Sequence, residues 1–255
     1  MKIGIRDGML RVPFEERFRK AAELGFDGIE LCLGGAEDEH PLLSEAGIEQ
    51  IQRLADEADI EVSSFSPGGF TSYTFFLPDD EKRELGIQYI NRLSRVAPQF
   101  GVKVILVPFF GNGKIESDQV LNPRLVDGFR RTGEVAAKYG VTLGIESTLS
   151  AEEHERLVEA IGLKSVGVYY DMGNATTLGY DSPSEIRRLG DKICQIHMKD
   201  TGGNHLGEGD VDFDAVGAAI KAIGFDDWLV LETPTKDDPD ASNVRNLEFV
   251  QELMA

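Results

Sequence analysis

The sequence is short of the residues that mark several functional classes. Its 255 residues include two cysteines, Cys32 and Cys194, each inside a strand-like apolar run. That excludes a disulfide framework and reads as reduced, buried thiols. Basic residues are scarce, 26 Lys and Arg against 45 Asp and Glu, for a formal charge of -19. Such a surface repels phosphate backbones at long range, so general nucleic-acid binding is disfavoured. No run approaches the roughly 18 consecutive apolar residues of a membrane span. The opening "MKIGIRDG" enters a strand at once, with no signal-peptide core. The expectation is a cytoplasmic chain with no membrane partner.

What is present is 41% apolar content and a steady alternation of strand and helix patterns. Strand-like runs are "KIGIR" (2–6), "GIELCL" (28–33), "IEVSSF" (60–65), "VKVILVPF" (102–109), "VTLGIE" (141–146), "VGVYYD" (166–171), "ICQIHM" (193–198) and "WLVLE" (228–232). Helical patterns lie between them. Pro13 suits the first turn of one and Gly25 its end. "SAEE" from Ser150 and "SPSE" from Ser182 have the spacing of capping boxes, and Asp212 suits the cap of the "FDAVGAAIKAIG" helix. Eight βα units without a linker favour a single-domain (β/α)8 TIM barrel over residues 1–255. The alternative is an open doubly wound sheet, but the chain lacks a nucleotide loop near its start.

Four successive strands end on polar groups: Glu146, Asp171, His197 (near the end) and Glu232. In a barrel these ends share one face. Alternation puts Gly144 with Glu146, Tyr169 with Asp171, Gln195 with His197 and Val230 with Glu232. Leu143, Ile145, Cys194, Ile196, Leu229 and Leu231 then face the helices. One polar strand end needs no explanation beyond its meeting water. Three carboxylates and an imidazole converging in one mouth call for a compensating cation. This mostly oxygen set suits Mn²⁺, Mg²⁺ or Co²⁺, with Zn²⁺ not excluded. After Asp171 the pattern reads as a glycine turn carrying Asn174, not as a helix start with an obvious cap.

The motifs "GIEL" (28–31), "LGIES" (143–147), "YYDMGNA" (169–175), "QIHMKDT" (195–201), "LGEGDVDF" (206–213) and "LVLET" (229–233) resemble those of the xylose-isomerase-like barrels. This group of sugar isomerases and epimerases also includes endonuclease IV. The likeness spans the chain, is strongest after residue 140, and is nearest to the ketose 3-epimerase branch. It implies that Glu146, Asp171, His197 and Glu232 bind one Mn²⁺-like ion. It also implies that Glu146 and Glu232 act as an acid/base pair on a cis-enediolate derived from a sugar or sugar phosphate. Homodimers or homotetramers are implied as well.

The family pattern expects a substrate-touching glutamate at Glu152, a position that equally suits the first turn of a helix. Asn174 stands where the tagatose type has histidine. That departure favours the ribulose-phosphate type, with Asn174 as a substrate contact or simply a turn residue. Lys199 could meet a substrate oxygen or pair with Asp200 at the rim. Glu30 could touch substrate or support a ligand, and Glu208 could support His197. Arg6, Lys114 and Lys199 are the candidates for a phosphate. Phe70, Phe109 and Phe110, with Tyr73, Phe75 and Phe76, could wall the pocket, pack their own loops or form a subunit interface. His205 is a loop histidine, and His40 and His154 are expected at the surface.

Competing functions remain on the same scaffold. An aldose-ketose isomerase of the hydroxypyruvate isomerase type and an inosose or keto-sugar dehydratase or lyase share the chemistry. A non-catalytic sugar-binding protein is a remoter reading. Nuclease activity is disfavoured by the charge and by having only four histidines.

Overall fold

The computed structural model describes residues 1–36 and 40–255. The strands are β1 (Lys2–Arg6), β2 (Gly28–Leu33), β3 (Glu61–Pro67), β4 (Val104–Phe109), β5 (Thr142–Ser147), β6 (Val166–Asp171), β7 (Ile193–Met198) and β8 (Trp228–Leu231). They follow one another in sequence order and close into a barrel. Closure is the parallel pairing of β8 with β1, in which Lys2 faces Trp228 and Ile5 faces Leu231. That pairing rules out the open sheet.

The helices are α1 (Arg17–Leu24), α2 (Glu45–Ala58), α3 (Asp80–Val96), α4 (Pro123–Lys138), α5 (Ala151–Ile161), α6 (Met172–Thr177), α7 (Ser182–Leu189), α8 (Phe213–Ala222) and α9 (Pro239–Met254). Among the described residues none is long and apolar enough to cross a membrane. Contacts group into two sets. One joins Met1–Leu31, Arg53–Ser63 and Tyr170–Ala255, the other Cys32–Gln52 and Ser64–Tyr169.

The strands are buried on both faces, as a parallel sheet under helices requires. All six residues of β4 and of β6 are buried. Leu143, Ile145, Ile196, Leu229 and Leu231, assigned by alternation to the helix side, have no exposed surface. In the second set, Phe70, Phe75, Phe109 and Phe129 are fully buried and meet with ring centroids 4.9 to 6.3 Å apart. Edge-to-face pairs of this kind stabilise beyond their buried area.

Local signals set most helix starts. Ser150 forms the expected capping box with Glu153, Asp212 accepts the Ala215 N–H, and Gly25 ends α1 in the left-handed region. Three expectations need correction. Pro13 precedes a 3-10 turn, Phe14–Glu16, and α1 starts only at Arg17. The cap of α7 is Asp181, which accepts the Ser184 N–H, while the Ser182 hydroxyl is turned inward to the Met172 carbonyl at 3.1 Å. His154 is not at the surface: it lies on the inner side of α5, 4% exposed. Its Nε2 is 2.9 Å from Ser147 Oγ and its Nδ1 3.1 Å from the Ser150 carbonyl. Burial lowers its pKa to about 4 against the pull of the Ser150 carbonyl and Glu153, so the ring is neutral.

Candidate metal centre

Glu146 is the fifth residue of β5 and Asp171 the last of β6. His197 lies opposite Val230 in the β7–β8 ladder. Glu232 follows β8 directly, and its N–H extends the ladder to the Met198 carbonyl at 3.1 Å. One ligand atom from each of these four residues lies within 4.8 Å of the others. Glu146, Asp171 and His197 are buried, and the Glu232 side chain is 17% exposed.

The His197 ring divides its environment. Nδ1 is 3.2 Å from Glu232 Oε2 and 4.0 Å from Asp171 Oδ2, whereas Nε2 is 3.1 Å from Glu30 Oε1. Two cations complete the group. Arg6, facing Glu30 across the β1–β2 ladder, has Nε 3.2 Å from Glu30 Oε1 and donates through Nη1 to Glu232. Lys199 Nζ is 3.5 Å from both Asp171 Oδ2 and Glu232 Oε2. Burial would push the Glu232 carboxyl up, but His197, Arg6 and Lys199 outweigh it and hold the group well below the usual carboxylate range.

The donor set fits a divalent ion. Three carboxylates and one imidazole are brought together with little exposure, in the oxygen-rich composition that hard and borderline cations accept. The set does not choose among Mn²⁺, Mg²⁺, Co²⁺ and Zn²⁺.

The segment after Asp171 is a short helix, not the expected glycine turn, and Asp171 itself caps it by accepting the Asn174 N–H at 2.8 Å. Gly173 lets α6 settle against the end of β7: a Cβ there would stand 2.8 Å from Lys199 Cγ and 2.9 Å from its carbonyl oxygen. Asn174 is half-buried beside this turn, and Glu152 is exposed in the first turn of α5.

Lys199 pairs with Asp171 and Glu232 and not with Asp200, whose carboxylate instead accepts the N–H groups of Thr201, Gly207, Gly209 and Val211 at 2.7 to 3.3 Å. Glu208 turns to Arg245 at 2.8 Å and Lys236 at 3.2 Å, so the carboxylate at the far side of His197 is that of Glu30. His205 accepts from Arg245 Nη1 at Nδ1, which leaves Nε2–H to face Ser242 Oγ at 3.2 Å. In that tautomer it cannot activate the serine. Arg6 is engaged by site carboxylates, and Lys114 Nζ sits 3.1 Å from Glu116.

Phe70 and Phe109, with Phe75, belong to the buried aromatic cluster. Phe110 is half-buried. Sequence alone offers Arg6 as a phosphate candidate and Glu30 as a substrate contact or ligand support, and leaves unread their pairing with each other and with Glu232 and His197. The charge of Arg6 closing "KIGIR" and that of Glu30 inside the apolar "GIEL" run are the signal for that pairing.

The model of the xylose isomerase-like TIM barrels matches residues 18–253. The chain belongs to that family. Among curated relatives of this barrel, L-ribulose-5-phosphate 3-epimerase UlaE of Shigella flexneri is 26% identical over 258 residues, covering 94% of this chain and 89% of that protein. The protein of the same description from Escherichia coli K12 is 25% identical with the same coverage. Of solved structures, the barrel superposes on 3-keto-D-glucoside 4-epimerase YcjR of E. coli with a TM-score of 0.85 at 20% identity, covering 99% of each chain. D-psicose 3-epimerase follows with a TM-score of 0.83 at 19% identity, covering 100% of this chain and 99% of that one. These superpositions establish a shared fold. The family match and the clustered candidate ligand set together support a metal-dependent enzyme.

Proposed function

We propose that this barrel is a metal-dependent ketose 3-epimerase. The observation that carries the reading is the tetrad, Glu146, Asp171, His197 and Glu232, drawn from four successive strands into one cluster. The ketose 3-epimerase description of the relatives matched over nearly the whole chain supports it.

Glu146, Asp171, His197 and Glu232 would hold one divalent ion, with Mn²⁺ favoured. Bound there, the ion supplies Lewis acidity that polarises the ketose carbonyl and acidifies the neighbouring C–H. The chain's own residues do the rest. Glu232 is kept ionised by His197, Arg6 and Lys199, the state a proton acceptor needs. Glu146 stands on β5, three strands away in sequence order, and is the partner that delivers a proton to the opposite face of C3. Lys199, flanking Asp171 and Glu232, offers an N–H donor to a substrate oxygen. Burial of three of the four ligands keeps water from competing for the exchanging proton. Glu152, near the carbonyl end of the sugar, and Asn174 are the further substrate contacts of this reading.

The test is a panel of free and phosphorylated ketoses offered to the Mn²⁺-loaded protein, with epimer formation read by chromatography. Interconversion at C3 is expected. Turnover confined to C1/C2 isomerisation, or loss of water from the sugar, would overturn the assignment. Activity on unphosphorylated sugars alone would remove the ribulose-phosphate substrate while leaving 3-epimerisation standing.

A further inference from the structure

Three charged side chains and the His197 imidazole form a closed ring: His197 Nδ1 to Glu232, Glu232 to Arg6, Arg6 to Glu30, and Glu30 back to His197 Nε2. We propose that Glu30 is a positioning residue for the ion, fixing the His197 ring so that Nδ1 faces the carboxylates, with Arg6 holding Glu30 and Glu232 in place.

Glu30 is outside the ligand tetrad, yet its side chain is 0% exposed, third in a strand that also carries Ile29, Leu31 and Leu33. A carboxylate is costly there unless it has partners. Its partners include the Arg6 guanidinium and the His197 ring. An ion-paired carboxylate only accepts, so the proton of the shared contact sits on His197 Nε2. Nδ1 is thereby the atom turned toward Glu232 and Asp171, where three of the four ligands meet. With acceptors on both sides of the ring, the Nδ1 side is satisfied only by a positive species. The Glu30 contact also raises the donor strength of the imidazole. Arg6 makes the arrangement rigid. It sits opposite Glu30 in the β1–β2 ladder, while β1 also pairs with β8, so one guanidinium spans the strands that carry Glu30 and Glu232.

The inference rests on the ion site proposed above, and its test separates the two. Mn²⁺ alone is titrated calorimetrically into metal-stripped wild type, Glu30→Gln and Glu30→Ala, with apo melting temperatures alongside. Glu30→Gln keeps an oxygen acceptor but loses the charge, and is expected to weaken Mn²⁺ binding by about 10- to 100-fold with little change in melting. In the diamagnetic Zn²⁺ form, the His197 Nε2–H resonance should lie downfield and exchange slowly in wild type, and move upfield in Glu30→Gln. At saturating Mn²⁺ the KM for sugar should stay near wild type. Where Glu30→Ala fails to fold, Glu30→Gln alone decides. A wild type that binds no Mn²⁺ overturns the ion site and this inference together. Binding in wild type with equal affinity in Glu30→Gln, or an unmoved Nε2–H resonance, overturns only the role of Glu30. A raised KM with unchanged Mn²⁺ affinity does the same and reassigns it to substrate.

Discussion

Asp171 uses its two oxygens differently: Oδ1 accepts the Asn174 N–H at 2.8 Å, while Oδ2 faces Lys199 Nζ at 3.5 Å and the His197 ring. The strand ends on a carboxylate because that residue both starts the next helix and faces the shared mouth. Asp171→Asn separates the roles, since an amide oxygen still caps. Its apo melting temperature should stay within about 4 °C of wild type, a cost below ~1 kcal/mol. Its Mn²⁺ affinity should fall by about tenfold or more. Elemental analysis of wild type purified without chelator should give about one divalent ion per chain, a stoichiometry that follows from a single tetrad. Full occupancy in both Asp171→Asn and His197→Ala would move the site elsewhere.

The acid/base pair is tested by solvent exchange. Glu146→Gln and Glu232→Gln should each lose interconversion by about two orders of magnitude or more. One variant should still exchange the C3 proton of one epimer with deuterated solvent, and the other variant that of the opposite epimer. Metal content must be measured in both, because each residue is also a proposed ligand. Deuterium entering only C1 or C2 would instead indicate an aldose-ketose isomerase.

His154 makes stability depend on pH. Its folded pKa of about 4 lies below the ordinary 6.5 because the ring is buried. The unfolded state therefore binds the proton first, and stability present above pH 6.5 is lost as pH falls toward 4. Full protonation of this one site costs on the order of 3 kcal/mol. His154→Gln should flatten the denaturation midpoint between pH 6.5 and 4 relative to wild type. Equal slopes for the two proteins over that window would show that the histidine titrates normally.

Asp200 organises the loop after β7 through four backbone N–H groups, and Gly209 leaves room for it, since a Cβ there would lie 2.2 Å from Asp200 Oδ1. Asp200→Ala strands those donors at about 1 to 3 kcal/mol of cost. Gly209→Ala forces the carboxylate away. In both variants the amides of Gly207, Gly209 and Val211 should exchange with deuterated water at least about tenfold faster, a loss of ~1.4 kcal/mol of local protection. Protection unchanged in Asp200→Ala would show that the loop is held by other contacts.

The sequence by itself determined the eight βα units and the four polar strand ends, because both depend on short-range periodicity and on the one-face rule of a barrel. Ser150 and Asp212 were legible as caps for the same reason: a cap and its N–H lie three residues apart. Ser182 has the spacing of a cap, but Asp181, one residue earlier, offers the same chemistry, and only packing against the Met172 carbonyl decides which side chain turns inward. The burial of His154 is not legible in the sequence because one polar residue on a helix gives no sign of which neighbour will bury it, and that neighbour, Ser147, lies on a strand. The partnership of Glu30 with His197 spans 167 positions of sequence. No local pattern encodes such a distance. Closing β8 onto β1 brings the first two strands beside the last, and with that closure the charges of Arg6 and Glu30 became part of the site.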